Sequence, residues 1–239
     1  RSASSGSKTV SVSTTSGSPS TISPTSLSVS VTALPYAVFL GDSNFELGNS
    51  TPAGADCPGI VQVNLGSSWV VSNRGVSGWG YSQATTDLTN WVTSGYDATR
   101  RWNFAIIMLG TNGISTGSAG QISALQTYLS AIRTAESRWK IGVVTLPYSS
   151  SYPTARNEFN TWVKANATAN GADFVVDATG DADLESTVAT TYNDGLHLTD
   201  LGRRALAGYI TGGILRYIDG QSATTTGGIS RGRLVNAGA

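Results

Sequence analysis

Residues 37–44 read A-V-F-L-G-D-S-N, an apolar run that stops at Gly41 and then presents a hydroxyl at Ser43. A short continuous apolar run bounded by glycine is the pattern of a strand buried on both faces. In an open α/β sheet, whatever follows such a strand stands at the carboxyl edge, where ligands bind. Ser43 is therefore a candidate nucleophile by position alone. A serine hydroxyl attacks at neutral pH only when a base takes its proton, and the oxyanion that forms needs donors already in place. The rest of the chain has to supply both.

Working outward, the same strand pattern recurs at 69–73, 104–109, 140–146 and 173–177, joining the first strand at 36–40. Each run is rich in β-branched residues and is closely followed by Gly, Pro, Asn or Thr. Helices are predicted at about 83–93, 119–138, 153–170 and 200–217; in the second, Ile122, Leu125, Leu129 and Ile132 make one apolar face. Repeated βα units with short connections predict an α/β fold, a doubly wound parallel sheet with helices on both faces.

Length and composition narrow the partners. The chain has 239 residues, enough for one sizeable core with appended ends, and 39% apolar content with six tryptophans excludes a wholly disordered chain. Fifteen basic and fifteen acidic side chains cancel, so no basic face for nucleic acid is expected. No apolar run reaches the roughly 20 residues of a membrane-spanning helix. One cysteine, Cys57, and one histidine, His197, cannot make a disulfide or a structural zinc site. Cys57 lies in the loop-like T-P-A-G-A-D-C-P-G and is read as a bystander.

The two ends differ from the middle. Residues 1–34 are dominated by Ser and Thr and read as a linker, or, through L-S-V-S-V-T-A, as an edge-strand segment. Residues 220–239 read as a C-terminal tail, which leaves 35–219 as the domain. The chain opens at Arg1 without methionine, and linker-like sequence at both ends suits a module of a larger multidomain or phage-tail protein. Low lysine and abundant Ser, Thr, Gly and Asn suit an extracellular, secreted or virion-borne setting. Asn49 and Asn166 fit the N-glycosylation acceptor pattern, which matters only in a eukaryotic secretory pathway.

Four segments then fall at a strand end or a helix start: G-D-S-N at 41–44, N-R-G-V-S-G at 73–78, G-T-N-G at 110–113 and D-G-L-H at 194–197. His197 is the one imidazole available as base, and Asp194 is close enough along the chain to accept from its Nδ1. The backbone N–H groups of Ser43 and Gly78 and the side-chain amide of Asn112 are candidate oxyanion donors. Glycine suits position 78 because a backbone N–H approaches substrate most closely where no Cβ intrudes. Gly75 is left to the turn. Asp42 is read as holding the turn through its backbone rather than as a catalyst.

In this order the four segments resemble the SGNH hydrolases, also called the GDSL esterase/lipase family, over about residues 36–217. The resemblance implies a three-layer α/β/α flavodoxin-like sandwich with a five-stranded parallel sheet. It implies Ser43 as nucleophile, Asp194 and His197 as acid and base, Gly78 and Asn112 in the oxyanion hole, and no metal or organic cofactor. Asn44 stands where the family name has leucine, and Gly113 stands where a carboxylate often steadies the third block. No G-x-S-x-G elbow, phosphate loop or dinucleotide fingerprint competes.

The expected substrate is a small ester or an acylated carbohydrate. Loops at 113–120 and 146–153 are small and polar, which does not suit a long acyl channel. Trp79, Tyr81, Tyr148 and Tyr152 are candidates to stack on sugar rings. The alternatives are a short-chain lipase or arylesterase, and a non-catalytic carbohydrate-binding or adhesion module of the same fold.

Overall fold

The apolar runs become strands laid side by side. The computed structural model describes residues 8–10, 27–29, 33–46, 55–185 and 190–225. In chain order the elements are β1 (Lys8–Val10), β2 (Leu27–Val29), β3 (Tyr36–Gly41), α1 (Cys57–Leu65), β4 (Val70–Asn73) and α2 (Tyr81–Asp87). There follow β5 (Asn103–Met108), α3 (Ser118–Ala135), β6 (Lys140–Val144), α4 (Pro153–Asn166), β7 (Phe174–Val176) and α5 (Asp200–Thr225). β1 and β2 form a separate antiparallel pair with Lys8 opposite Val29. Most of the segment read as a linker or edge strand, Asn49, and residues 226–239 lie outside the described residues.

The main sheet is wholly parallel in the order β4-β3-β5-β6-β7. That order makes the expected five-stranded α/β/α sandwich. β3 and β5 are buried almost throughout, as strands covered by helices on both faces must be. α1 packs with α5 on one face, and α2, α3 and α4 pack together on the other. The chain leaves β3 toward β4 and later returns to place β5 on β3's other side. The strand order thus reverses between β3 and β5, and their carboxyl ends open the crevice in which such sheets bind ligands. Ser43 follows the first of these strands and Asn112 the second.

Three local readings are corrected. The stretch around Cys57 is not a loop: α1 begins there, with the Asp56 side chain accepting from Gly59 N–H at 2.9 Å and Pro58 in the first turn. Asp at the N-cap and Pro just inside are strong helix-start signals, and they outweigh the turn-like look of D-C-P-G. Cys57 is fully buried in the core, and burial pushes its thiol far up. The helix expected from residue 83 starts earlier, at Tyr81, and tightens into a 3₁₀ turn at Leu88–Asn90. The last helix runs on to Thr225, so the segment read as a tail from 220 begins inside it.

Asp56 also accepts from the Asn73 amide through Oδ2 and is 7% exposed. Asp56→Ala should lower stability by about 1–2 kcal/mol, read as a lower urea midpoint with unchanged slope, and Asp56→Asn, which keeps an oxygen for Gly59 N–H but turns an amide N–H toward the Asn73 amide, should recover only part of it.

Candidate active site

Gly41 ends β3 against the ring of Phe45, which a Cβ there would strike. The chain turns at once, the Asp42 carbonyl accepting from Phe45 and Glu46 N–H at 3.0 Å each. Ser43 sits on this turn. Asp42 Oδ1 accepts from Asn44 N–H at 3.0 Å, as expected of a residue that holds the turn. Its carboxyl is fully buried, and Oδ2 has no hydrogen bond among the described residues. Burial pushes that carboxyl above the usual carboxylate range, outweighing the Asn44 N–H.

The segment after β4 is pressed onto the same turn. A Cβ at Gly75 would come within 2.7 Å of Phe45 Cβ and 2.8 Å of Glu46 N, so only glycine lets the two backbones meet. Asn73 fastens them, its amide donating to the Phe45 carbonyl at 2.6 Å and its Oδ1 accepting from Gly75 N–H at 2.8 Å. Arg74 is paired through two nitrogens with Asp87, at 2.9 Å each, which ties the segment to the end of α2. Gly78 then takes φ +77°, a left-handed conformation that favours glycine, with open space where a Cβ would lie. Among the described residues, no backbone carbonyl takes the N–H of Ser43 or of Gly78.

Asn112 lies in the 3₁₀ turn Thr111–Thr116 that follows β5. Its amide donates to the Trp79 carbonyl at 2.9 Å, and an amide has a second N–H to offer. Gln121 packs over Gly113 and fills the room that a side chain there would need. The Trp79 carbonyl holds Asn112 directly.

The fourth segment closes over the first. His197 Nδ1 lies 2.7 Å from Asp194 Oδ2, and His197 Nε2 lies 3.0 Å from Ser43 Oγ. With Nδ1–H donating to the carboxylate, Nε2 is left to accept the serine proton. Asp194 Oδ1 accepts from Leu196 and His197 N–H at 3.0 and 2.8 Å. Desolvation acts to raise the Asp194 pKa, but these hydrogen bonds from His197 and Leu196 win and hold it at about 2. A buried cross-link, Leu198 N–H to Asn44 Oδ1 at 3.1 Å, ties the two segments together.

The structure therefore brings Ser43, Asp194 and His197 into one bonded line, and links the Gly78 and Asn112 segments through Trp79. Sequence reasoning left Asn73, Gln121 and the cross-linking role of Asn44 unassigned. Asn73 stood in plain view within the second segment. Tyr81 does not belong with the substrate-facing aromatics: it is 5% exposed, its hydroxyl donates to the Leu109 carbonyl at 2.8 Å, and its ring packs on Tyr128. Trp79 and Tyr148 are half-buried, and Tyr148 packs edge-on to Tyr192.

The line is open to solvent, with 42% of the His197 and 54% of the Asp194 side chain exposed. A shallow groove between α3 and α4, lined by Ile122, Glu158 and Trp162, contains none of these residues. Among the described residues, no group of three or more His, Cys, Asp or Glu could hold a metal, and no helix is long and apolar enough to cross a membrane.

Comparison with solved structures shows the same fold at low identity. A lipolytic protein of the G-D-S-L family from Veillonella parvula matches with TM-score 0.62 and 20% identity, over 76% of this chain and 98% of that one. A carbohydrate esterase of family 3 from Talaromyces cellulolyticus matches with TM-score 0.60 and 21% identity, over 78% and 99%. A carbohydrate acetylesterase from Sinorhizobium meliloti matches with TM-score 0.59 and 17% identity, over 76% and 99%. Comparison with curated protein sequences gives no match. The family profile described as GDSL-like Lipase/Acylhydrolase matches residues 39–205, the span that carries the first three segments, the Asp194–His197 pair and the start of α5, and the chain belongs to that family.

Proposed function

We propose that the protein is a serine esterase that removes short acyl groups, acetyl foremost, from carbohydrate. The observation that carries this reading is the hydrogen-bonded line from Asp194 through His197 to Ser43. Ser43 Oγ attacks the ester carbonyl as His197 Nε2 takes its proton, and the Asp194 carboxylate steadies the imidazolium that results. The oxyanion is met by the N–H groups of Ser43 and Gly78 and by the remaining N–H of Asn112. Collapse breaks the ester bond and returns the proton from His197 to the departing alcohol, leaving acyl-Ser43. Water, deprotonated by His197, then attacks that acyl group and releases the acid.

An accessible site with small polar loops supports a bulky, hydrophilic alcohol part and a short acyl part. The carbohydrate esterase and carbohydrate acetylesterase among the similar folds support the same substrate class. Acetylated xylan, acetylated peptidoglycan and p-nitrophenyl esters of rising chain length test it. Release of acetate from a glycan is expected, and a preference for octanoate or longer would overturn it.

Ser43→Ala should abolish turnover and, in mass spectrometry, the labelling of this residue by a fluorophosphonate. Asn112→Ala should lower kcat by about 100- to 1000-fold while the urea midpoint changes little. Because the folded Asp194 pKa is depressed to about 2, its contribution to stability is complete above the ordinary carboxylate value and is lost as pH falls through about 2. The gap in urea midpoint between wild type and Asp194→Asn should therefore be small, the group being exposed, and should close between pH 4 and pH 2.

A further inference from the structure

The loop between β6 and α4, L-P-Y-S-S-S-Y-P at 146–153, leans directly on the segment that carries the acid and base. Ser150 N–H donates to the Gly195 carbonyl at 3.2 Å, two residues before His197. Tyr148 N–H meets the Tyr192 hydroxyl at 2.9 Å and the Leu184 carbonyl at 3.1 Å. The loop is also clamped from beneath. Arg156, 2% exposed, donates from Nε to the carbonyls of Leu146 and Pro147 at 2.9 and 3.1 Å, and its other guanidinium nitrogens pair with Glu185 at 2.7 and 2.5 Å. Its backbone N–H takes the Tyr152 carbonyl at 3.1 Å, so one residue grips both ends of the loop.

Tyr152 is the N-cap residue of α4, followed by Pro153 in the first turn, and its backbone is fixed by that junction. Among the four aromatic residues in the loops round the site it is the open one, 45% exposed, where Tyr81 is buried and Trp79 and Tyr148 are packed against the core. Ser150 and Ser151 beside it are exposed. An open ring on a fixed backbone, beside two exposed serines, offers what the two surfaces of a pyranose require, an apolar face for its C–H side and hydroxyls for its edge. The position also decides which half of the substrate meets it. The departing oxygen must lie at His197 Nε2 to receive its proton, while the acyl oxygen lies toward Gly78 and Asn112. The loop abuts Gly195, in the segment that carries His197.

We propose that Tyr152 is a specificity-determining residue whose ring stacks on the sugar that bears the ester, on the leaving-group side of Ser43. This rests on the carbohydrate esterase reading above. The test compares wild type, Tyr152→Ala and Tyr152→Phe on acetylated xylo-oligosaccharides and on ethyl acetate, whose leaving group has no ring, with acetate release followed by pH-stat. Tyr152→Ala should lower kcat/KM on the oligosaccharide by about tenfold, mainly through KM, and leave ethyl acetate unchanged. Tyr152→Phe keeps the ring and should match wild type on both.

Equal loss on both substrates, or no loss on either, would overturn the assignment while leaving the esterase intact. A wild-type enzyme that cleaves ethyl acetate and ignores every acetylated saccharide would overturn the carbohydrate reading and, with it, the role given to Tyr152.

Discussion

A hydrogen bond of 3.0 Å joins Ser43 to His197 across 154 positions of chain. Such a bond between partly buried side chains contributes about 1 kcal/mol net, too little to hold two mobile groups in register. The register must come from the backbone on either side. The Asn44 to Leu198 cross-link provides it, because it is buried and water cannot compete for it. Beneath it the Asp42 turn rests on Gly75 and is fastened by Asn73, which in turn holds the cap of α1. The exposed line works because a buried frame has already fixed where its two ends stand.

Two carboxylates flank this line, and their surroundings drive them apart. Asp194 is open to water and receives N–H bonds, so it stays charged and able to steady an imidazolium. Asp42, one residue from the nucleophile, is sealed in the core with one oxygen unmatched and is pushed the other way. Sequence proximity to Ser43 makes Asp42 the tempting partner, yet solvation makes Asp194 the effective one.

The strands, their parallel alignment and the four functional segments were legible because each signal is local: an apolar run closed by a turn residue, or a residue type that chemistry demands. The N-terminal boundary of α1 was also local, yet Pro58 and Gly59 mimic a turn, and the Asp56 cap decides the matter only when weighed against them. Asn44 and Asn73 were not legible in the same way. Their partners, Leu198 and Asp56, are far along the chain, and an asparagine looks the same whether it caps a turn or bridges two segments. The reading of Tyr81 fails for a related reason: a tyrosine three residues after a functional glycine is equally suited to solvent or core, and the Leu109 carbonyl 28 positions away fixes it inside.

The direction of the last helix has a consequence for how the domain meets large substrates. α5 starts three residues after His197 and descends until Tyr217 stacks on Phe174, the first residue of β7, and meets Trp102 just before β5. The chain comes into the sheet at that same lower rim, where Ala33 bridges Arg100. Both doorways of the domain therefore face away from the nucleophile. The rim that carries the nucleophile is thus left clear of both points at which the domain's chain enters and leaves.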